Sequence, residues 1–351
     1  MRHKERINIA LLCRDCDYIP KVEGSGKIYN GSKGEYQLMH NGVKVFKDCY
    51  HEFITKIIHG LNGHHEPQEE KLFFEILKHI EPGSTMLELG SFWSYYSLWF
   101  KKEVSGATNY MIEPNSQKMK VGIQNFELNG YDSNNFIEGC IGNKHQKKVL
   151  FKDWDNTKYE MPMWSIDYFM EHYGLYKLGV LHSDVQGAEN DMLKGAHLSF
   201  GSKKIDHVFI STHGDKIHQD CIYFLENYNY NIICSHTVEE SFSGDGLIVA
   251  SCILTKNDID CNITLNKIEQ SEKKMPVPNK LKKFGKKIVS SLNFKSKNLL
   301  DSYSQYGQDA YCFNKYFSNQ ETGTFLEIGA DDGIDKSNTF FYEKKGWKGL
   351  C

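Results

Sequence analysis

Four polar groups in the first two-thirds of the chain each close a short apolar run. Glu88 lies in Thr85-Met86-Leu87-Glu88-Leu89, just before Gly90, and Glu113 ends Asn109-Tyr110-Met111-Ile112. Asp184 follows the run from Leu178 to Ser183, and Ser211-Thr212-His213 closes the run that begins at His207. In open α/β sheets ligands bind beyond the carboxyl ends of the strands, so these groups are expected to share one crevice. Three carboxylates suit a dinucleotide poorly, because pyrophosphate needs a glycine loop and a helix N-terminus, with one acid left for a ribose. Ser91-Phe92-Trp93-Ser94 puts bulky residues where that loop needs glycine.

S-adenosylmethionine suits the set better. It has no phosphate, it carries an ammonium and a sulfonium that favour nearby carboxylates, and its ribose diol can be accepted by a bidentate acid. Methyl transfer is an in-line displacement at an activated carbon, so the protein's main role is to align the acceptor oxygen, methyl and sulfur. An alcohol acceptor also needs its proton removed. His213 is the first candidate base and Asp184 the second. His64-His65-Glu66, ahead of the first strong helix, could close over the ligand, with His64 and Glu66 as substrate contacts. Gln186 and Glu189, just past Asp184, are further substrate candidates. No metal is expected: His213, Asp215 and His218 have an unspecific spacing, and Cys13-Arg14-Asp15-Cys16 is at most half a zinc site, with no second pair at ligand spacing.

The elements that must hold these residues alternate between strand and helix. Glu66 to Ile80 reads as a helix, with Pro67 in its first turn and Leu72, Phe73, Ile76, Leu77 and Ile80 at helical spacing. Strands are expected at 85–89, 109–112, 136–137, 178–183, 207–211, 231–234 and 247–250. Helices are expected at 95–102, 117–129, 187–194 and 217–227. This alternation implies a mainly parallel seven-stranded sheet with helices on both faces. Residues 1–65 read as a small irregular or β-rich N-terminal cap. Trp93, Tyr95, Tyr96 and Trp99 read as core packing.

The motifs Leu87-Glu88-Leu89-Gly90, Ile112-Glu113-Pro114-Asn115, Ser165-Ile166-Asp167 and Ser183-Asp184-Val185-Gln186-Gly187-Ala188-Glu189, ending in Leu193-Lys194-Gly195, resemble the FkbM-type methyltransferase family over roughly residues 60–255. The resemblance implies a class I Rossmann-like fold, S-adenosylmethionine as cofactor, and O-methylation, often of a sugar hydroxyl or a polyketide-type alcohol. By position it implies that Glu88, Gly90 and Ser91 line the methionine end of the cofactor. It places Glu113, with Asn115 beside it, at the ribose, and Asp184 at the sulfonium or substrate. Gly139-Cys140 offers no acid for the adenine amine, so backbone groups around Cys140 would serve. Ser94 stands where the family's second loop glycine is usual. A dinucleotide-dependent oxidoreductase or epimerase, or a catalytically silent binding module, is the competing reading.

The 351 residues allow two domains, and 40% hydrophobic with 25% charged residues describes a globular chain. Lys+Arg 42 against Asp+Glu 45 gives a net charge of −3, which recruits no nucleic acid. The expected partner is a small-molecule or glycan acceptor. No apolar run is long enough to cross a bilayer, and the singly scattered cysteines read as reduced thiols of a cytoplasmic protein. The expected organisation is a cap at 1–65, a methyltransferase domain at 66–255, a lysine-rich linker at 256–301 and the truncated start of a second such domain at 302–351. That last segment repeats the first opening, with Phe325-Leu326-Glu327-Ile328-Gly329 echoing Met86 to Gly90. The linker could form a basic amphipathic helix near Lys280 to Leu292, in weak contact with a membrane surface.

Overall fold

The structure, a computed structural model, describes residues 3–152 and 157–266, together with Phe313, Phe317, 322–326 and 339–350. It divides into two units, Met1–Glu269 and Gln270–Cys351. The first unit opens with α1 (His3–Ala10), β1 (Ile28–Gly31), β2 (Gly34–Leu38), β3 (Lys44–Phe46), α2 (Glu52–Gly60) and α3 (Pro67–Leu77). Then follow β4 (Thr85–Leu89), α4 (Tyr95–Glu103), β5 (Thr108–Glu113), α5 (Ser116–Leu128) and β6 (Phe136–Glu138). A side sheet comes next, of β7 (Cys140–Ile141), β8 (Gln146–Lys152) and β9 (Lys158–Trp164). The rest is α6 (Ile166–His172), β10 (Leu178–Ser183), α7 (Glu189–Lys194), α8 (His197–Gly201), β11 (Ile205–Thr212), α9 (Asp215–Asn227), β12 (Asn231–His236) and β13 (Gly246–Ser251).

The main sheet runs β12-β13-β11-β10-β4-β5-β6, with β13 antiparallel to both of its neighbours. The chain builds outward from β4 to β6, then returns to β10 on the other side of β4. The switch point therefore falls between β4 and β10, where a ligand crevice is expected. The period of two along each strand decides which face a residue packs on. Met86, Met111, Val180, Phe209 and Val249 join one core with residues of α2, α3 and α4. Leu87, Ile112, Leu181, Ile210 and Ile248, their neighbours in sequence, join a second core with residues of α6, α7 and α9. Both faces are covered, so these strands read as continuous apolar runs.

The cap is less irregular than its composition suggests. β1–β3 form an antiparallel sheet, and α1 and α2 flank it in sequence. Val43, Val45, Phe53 and Ile57 share a hydrophobic core with the sheet residues Met86 and Phe209, so the cap is integral to the first unit. The sequence pattern conceals α2 because it is short and because its surroundings, rich in His, Gly and Asn, dilute the helical period. The side sheet and α6 are likewise absent from the expected elements: lysines interrupt β8, and Pro162 interrupts β9, whose burial is mostly partial. No helix among the described residues is long and apolar enough to cross a membrane.

In the second unit, β14 (Thr324–Leu326) pairs in parallel with β15 (Lys348–Leu350), with α10 (Phe340–Lys344) between them. This is the strand–helix–strand order of β4, α4 and β5. The acid and glycines expected at 327–333 and the basic helix expected at 280–292 fall outside the described residues.

Candidate active site

The strand-end loops meet where the sheet order reverses. Gly90 turns the chain away from β4 at φ +70°, and a Cβ there would collide with the backbone oxygen of Asp184. Only glycine allows this approach. Gly90→Ala is expected to cost at least ~2 kcal/mol through overpacking and left-handed strain, and to abolish S-adenosylhomocysteine binding. Paired thermal melts and calorimetry check this; wild-type values in both would refute the close approach. Beyond Gly90, Phe92 and Ser94 also hold positive φ, 38° and 57°. The loop thus takes the left-handed backbone path of a glycine loop, even with Ser94 in place of its second glycine.

Glu113 fastens this loop. Its Oε2 accepts from Phe92 N at 3.1 Å and its Oε1 from Asn115 N at 3.0 Å. A carboxylate offers about four acceptor sites, enough to brace a loop and receive a diol together. Asn115, beside it, caps α5 through Oδ1, accepting from Gln117 N and Lys118 N. Cys140 is buried just past β6, its sulfur 3.8 Å from Pro162 O, and burial pushes its thiol up to about 11. Asp167, part of the family motif, caps α8 through Leu198 N and Ser199 N at 2.9 and 2.8 Å.

Glu88 is buried, and its Oε2 accepts from Ser97 N in α4 at 3.2 Å. Burial raises this carboxyl to about 7, against opposing help from His182 and Ser97. The folded state therefore holds its proton more tightly than the unfolded chain. The cost of the charge is absent at low pH and fully present above about 7. Glu88→Gln is expected to stabilise the fold by of order 2 kcal/mol at pH 8, an advantage that vanishes near pH 4. Denaturant melts at the two pH values test it, and a variant destabilised at pH 8 would contradict the assignment.

At the far side of the crevice, His213 Nδ1 lies 2.5 Å from Glu189 Oε1, and its Nε2 lies 3.4 Å from both Asp184 Oδ1 and Asp245 Oδ1. Burial opposes a charge on His213, but the Glu189 hydrogen bond and the three carboxylates outweigh it and push the ring up to about 9. Burial raises Asp184 to about 6, with His213 pulling the other way. Gln186, held at φ 52°, donates from Nε2 to Asp184 Oδ1 at 2.8 Å and lies 2.8 Å from His213 Nε2. An amide N–H cannot donate to an imidazolium N–H, so this bridge belongs to neutral His213, and a proton on Nε2 has the Asp184 and Asp245 oxygens at 3.4 Å as acceptors. Glu189 has no solvent exposure and also accepts from Gly187 N at 3.1 Å. It therefore orients His213.

Sequence reasoning misses Asp245, Tyr50, Glu69 and His182. Asp245 sits in the glycine-flanked turn Ser243-Gly244-Asp245-Gly246, a signal that could have found it. Tyr50 stacks on Phe92 with ring centroids 4.8 Å apart. Glu69 looks like a helix-dipole acid in the sequence, yet it is buried and pairs with His182 at 2.7 Å. A small cavity lined by Arg6, Tyr50, His65, Glu66, Phe242 and Asp245 adjoins this side. Glu66 is part of its lining, whereas His64 is 1% exposed and in contact with Glu70. His218 is tied to Thr212 and Ser235, each at 2.8 Å, and does not join His213. The aromatic run is core as expected: Tyr95, Tyr96 and Trp99 are buried.

A seven-stranded sheet with one antiparallel strand next to its edge, and acids at the ends of β4, β5 and β10, defines the class I methyltransferase architecture. Residues 75–232 match the methyltransferase FkbM domain, and this part of the chain is a methyltransferase domain that uses S-adenosylmethionine. No curated protein matches the chain. Among similar solved structures, TrmK of M. capricolum, in complex with S-adenosylhomocysteine, is 12% identical, with 52% of this chain and 69% of that one covered at a TM-score of 0.34. Fibrillarin of Aeropyrum pernix, with natively bound S-adenosyl-L-methionine, is 14% identical, with 66% and 85% covered at a TM-score of 0.34. The fold assignment rests on strand order and the family match.

Proposed function

We propose that the protein O-methylates a hydroxyl of a saccharide or related polyol metabolite, with Asp184 as the base. The carrying observation is the acidic lining of the crevice: Asp184 and Asp245 face His213 at 3.4 Å, and Glu66 lines the adjoining cavity. Carboxylates accept hydrogen bonds from hydroxyls and repel phosphates, so a neutral polyol fits better than a phosphorylated acceptor.

The residues suit S-adenosylmethionine, which supplies an activated methyl group. Glu113 presents a carboxylate for the ribose hydroxyls, and Gly90 leaves room beside the Asp184 backbone. Ser91 and Ser183 hold buried hydroxyls without hydrogen-bond partners among the described residues, available to polar groups of a ligand. Asp184, ionised above about pH 6, takes the acceptor proton, while His213, protonated below about pH 9, stands between Asp184 and Asp245 and balances their charge. This reverses the order of the two base candidates, because a ring held up to about 9 already carries its proton at neutral pH.

Transfer of labelled methyl groups to a panel of neutral saccharides, sugar phosphates and amines tests the acceptor class. Label in an alkali-stable ether of a neutral saccharide is the expected result. Label confined to sugar phosphates, to amines or to alkali-labile esters would refute it.

A further inference from the structure

Away from the crevice, the cap buries a second cluster that methyl transfer does not use. One ligand atom each of Cys16, His64 and Glu70 lies within 4.8 Å of the other two, and all three residues are buried. A buried carboxylate beside imidazole and thiol is costly unless its charge is matched and its lone pairs are filled. The two oxygens of Glu70 have separate roles. Oε1 accepts from the backbone N–H groups of His65 and Glu66, at 2.7 and 3.2 Å, and lies 2.7 Å from His65 Nδ1, which locks the carboxylate at the entrance to α3. Oε2 is left facing His64 Nδ1, in direct contact, and His40 Nδ1 at 3.9 Å. His64 Nε2 is buried without a hydrogen-bond partner among the described residues. Among the described residues, the hydrogen-bond partner of Cys16 Sγ is the Pro67 carbonyl, at 3.1 Å, between His64 and Glu70 in the chain.

The geometry points to a divalent-cation site, best matched to zinc, with Cys16 Sγ, a His64 ring nitrogen and Glu70 Oε2 as ligands. Thiolate, imidazole and carboxylate together form an ordinary zinc donor set, whereas calcium and magnesium take oxygen ligands. The backbone donors on Oε1 supply the outer hydrogen bonds that fix a ligating carboxylate. The His40 ring stacks on His64 at 4.1 Å and also borders an open cleft with Ile19, Lys21 and Trp99. Binding displaces the Cys16 thiol proton to solvent, and the ion's charge offsets the new thiolate. Such an ion would pin the segment after α1 to the start of α3, whose Glu66 and Glu69 reach the crevice side. In the sequence the Cys-x-x-Cys pair shows no partners because its histidine and acid lie 48 and 54 residues beyond Cys16 along the chain.

The test uses the full chain without a histidine tag. Metal analysis after dialysis is expected to find one zinc per chain, released on titration of the thiols with a mercurial. Cys16→Ser and His64→Ala should lower the zinc content to near zero, while the control Cys261→Ser keeps it. Should the first two fail to fold, wild-type protein reloaded with Co²⁺ alone decides: a thiolate-to-cobalt charge-transfer band with the visible bands of a tetrahedral site is expected. Folded protein that neither retains zinc nor gives that band would overturn the site. Full zinc content in folded Cys16→Ser would do so too.

Discussion

Asp184→Asn is expected to lower kcat by roughly 10²–10⁴-fold, the scale of a positioned proton-transfer group. S-adenosylhomocysteine affinity should stay within a fewfold of wild type. Asparagine keeps the shape and one acceptor oxygen but cannot take a proton at neutral pH. The carboxylate is well placed to act as a base, because burial raises it to about 6, close to working pH, and His213 confronts it at 3.4 Å. The sign of the pH dependence follows. Activity as kcat/KM should rise through about 6 as Asp184 loses its proton and fall through about 9 as His213 loses its own. His213→Gln should remove the alkaline limb and cost less in kcat than Asp184→Asn. A single rising limb near 9, with His213→Gln the more damaging change, would make His213 the base instead.

Glu113→Ala is expected to weaken S-adenosylhomocysteine binding by about 1–3 kcal/mol, the scale of losing a buried hydrogen-bonded carboxylate. Two effects add. The ribose loses its acceptors, and Phe92 N and Asn115 N lose the oxygens that hold the loop closed. Glu113→Gln separates them from simple truncation, because its amide nitrogen meets a backbone N–H and cannot accept. Both variants should bind weakly while kcat at saturating cofactor falls less than KM rises. Calorimetry with the folded variants reads this directly, and an unchanged dissociation constant would place the ribose elsewhere.

Much of the fold is legible in the sequence because the sheet is buried on both faces. Strands such as Leu178–Ser183 and Ile205–Thr212 are largely apolar, with His182, Asp206 and His207 interrupting them, and each ends at a polar residue where the crevice lies. The acids at 88, 113 and 184 can be found for that reason. Asp245 cannot be found by the same rule, since it precedes an antiparallel strand and so reaches the crevice from that strand's amino end. Glu69 and Glu70 escape for a different cause. The first turn of a surface helix favours acids, and nothing local shows that α3 starts inside the protein. The role of Glu189 also depends on a tertiary partner, since it holds His213 from a buried position, whereas Asn115 caps α5 through residues two and three positions on, a local signal. The two non-glycine residues in the left-handed region show that the loop after β4 keeps its path by packing, since Phe92 is braced by Tyr50 and by Glu113.

The central claim is that the crevice between β4 and β10 holds S-adenosylmethionine against Glu113. Calorimetric titration of the full chain with S-adenosylhomocysteine, in parallel with NAD, tests it most directly. The expected result is saturable one-site heat with S-adenosylhomocysteine, strongly weakened in Glu113→Ala, and none with NAD. A folded protein that gives heat with NAD and none with S-adenosylhomocysteine would contradict it.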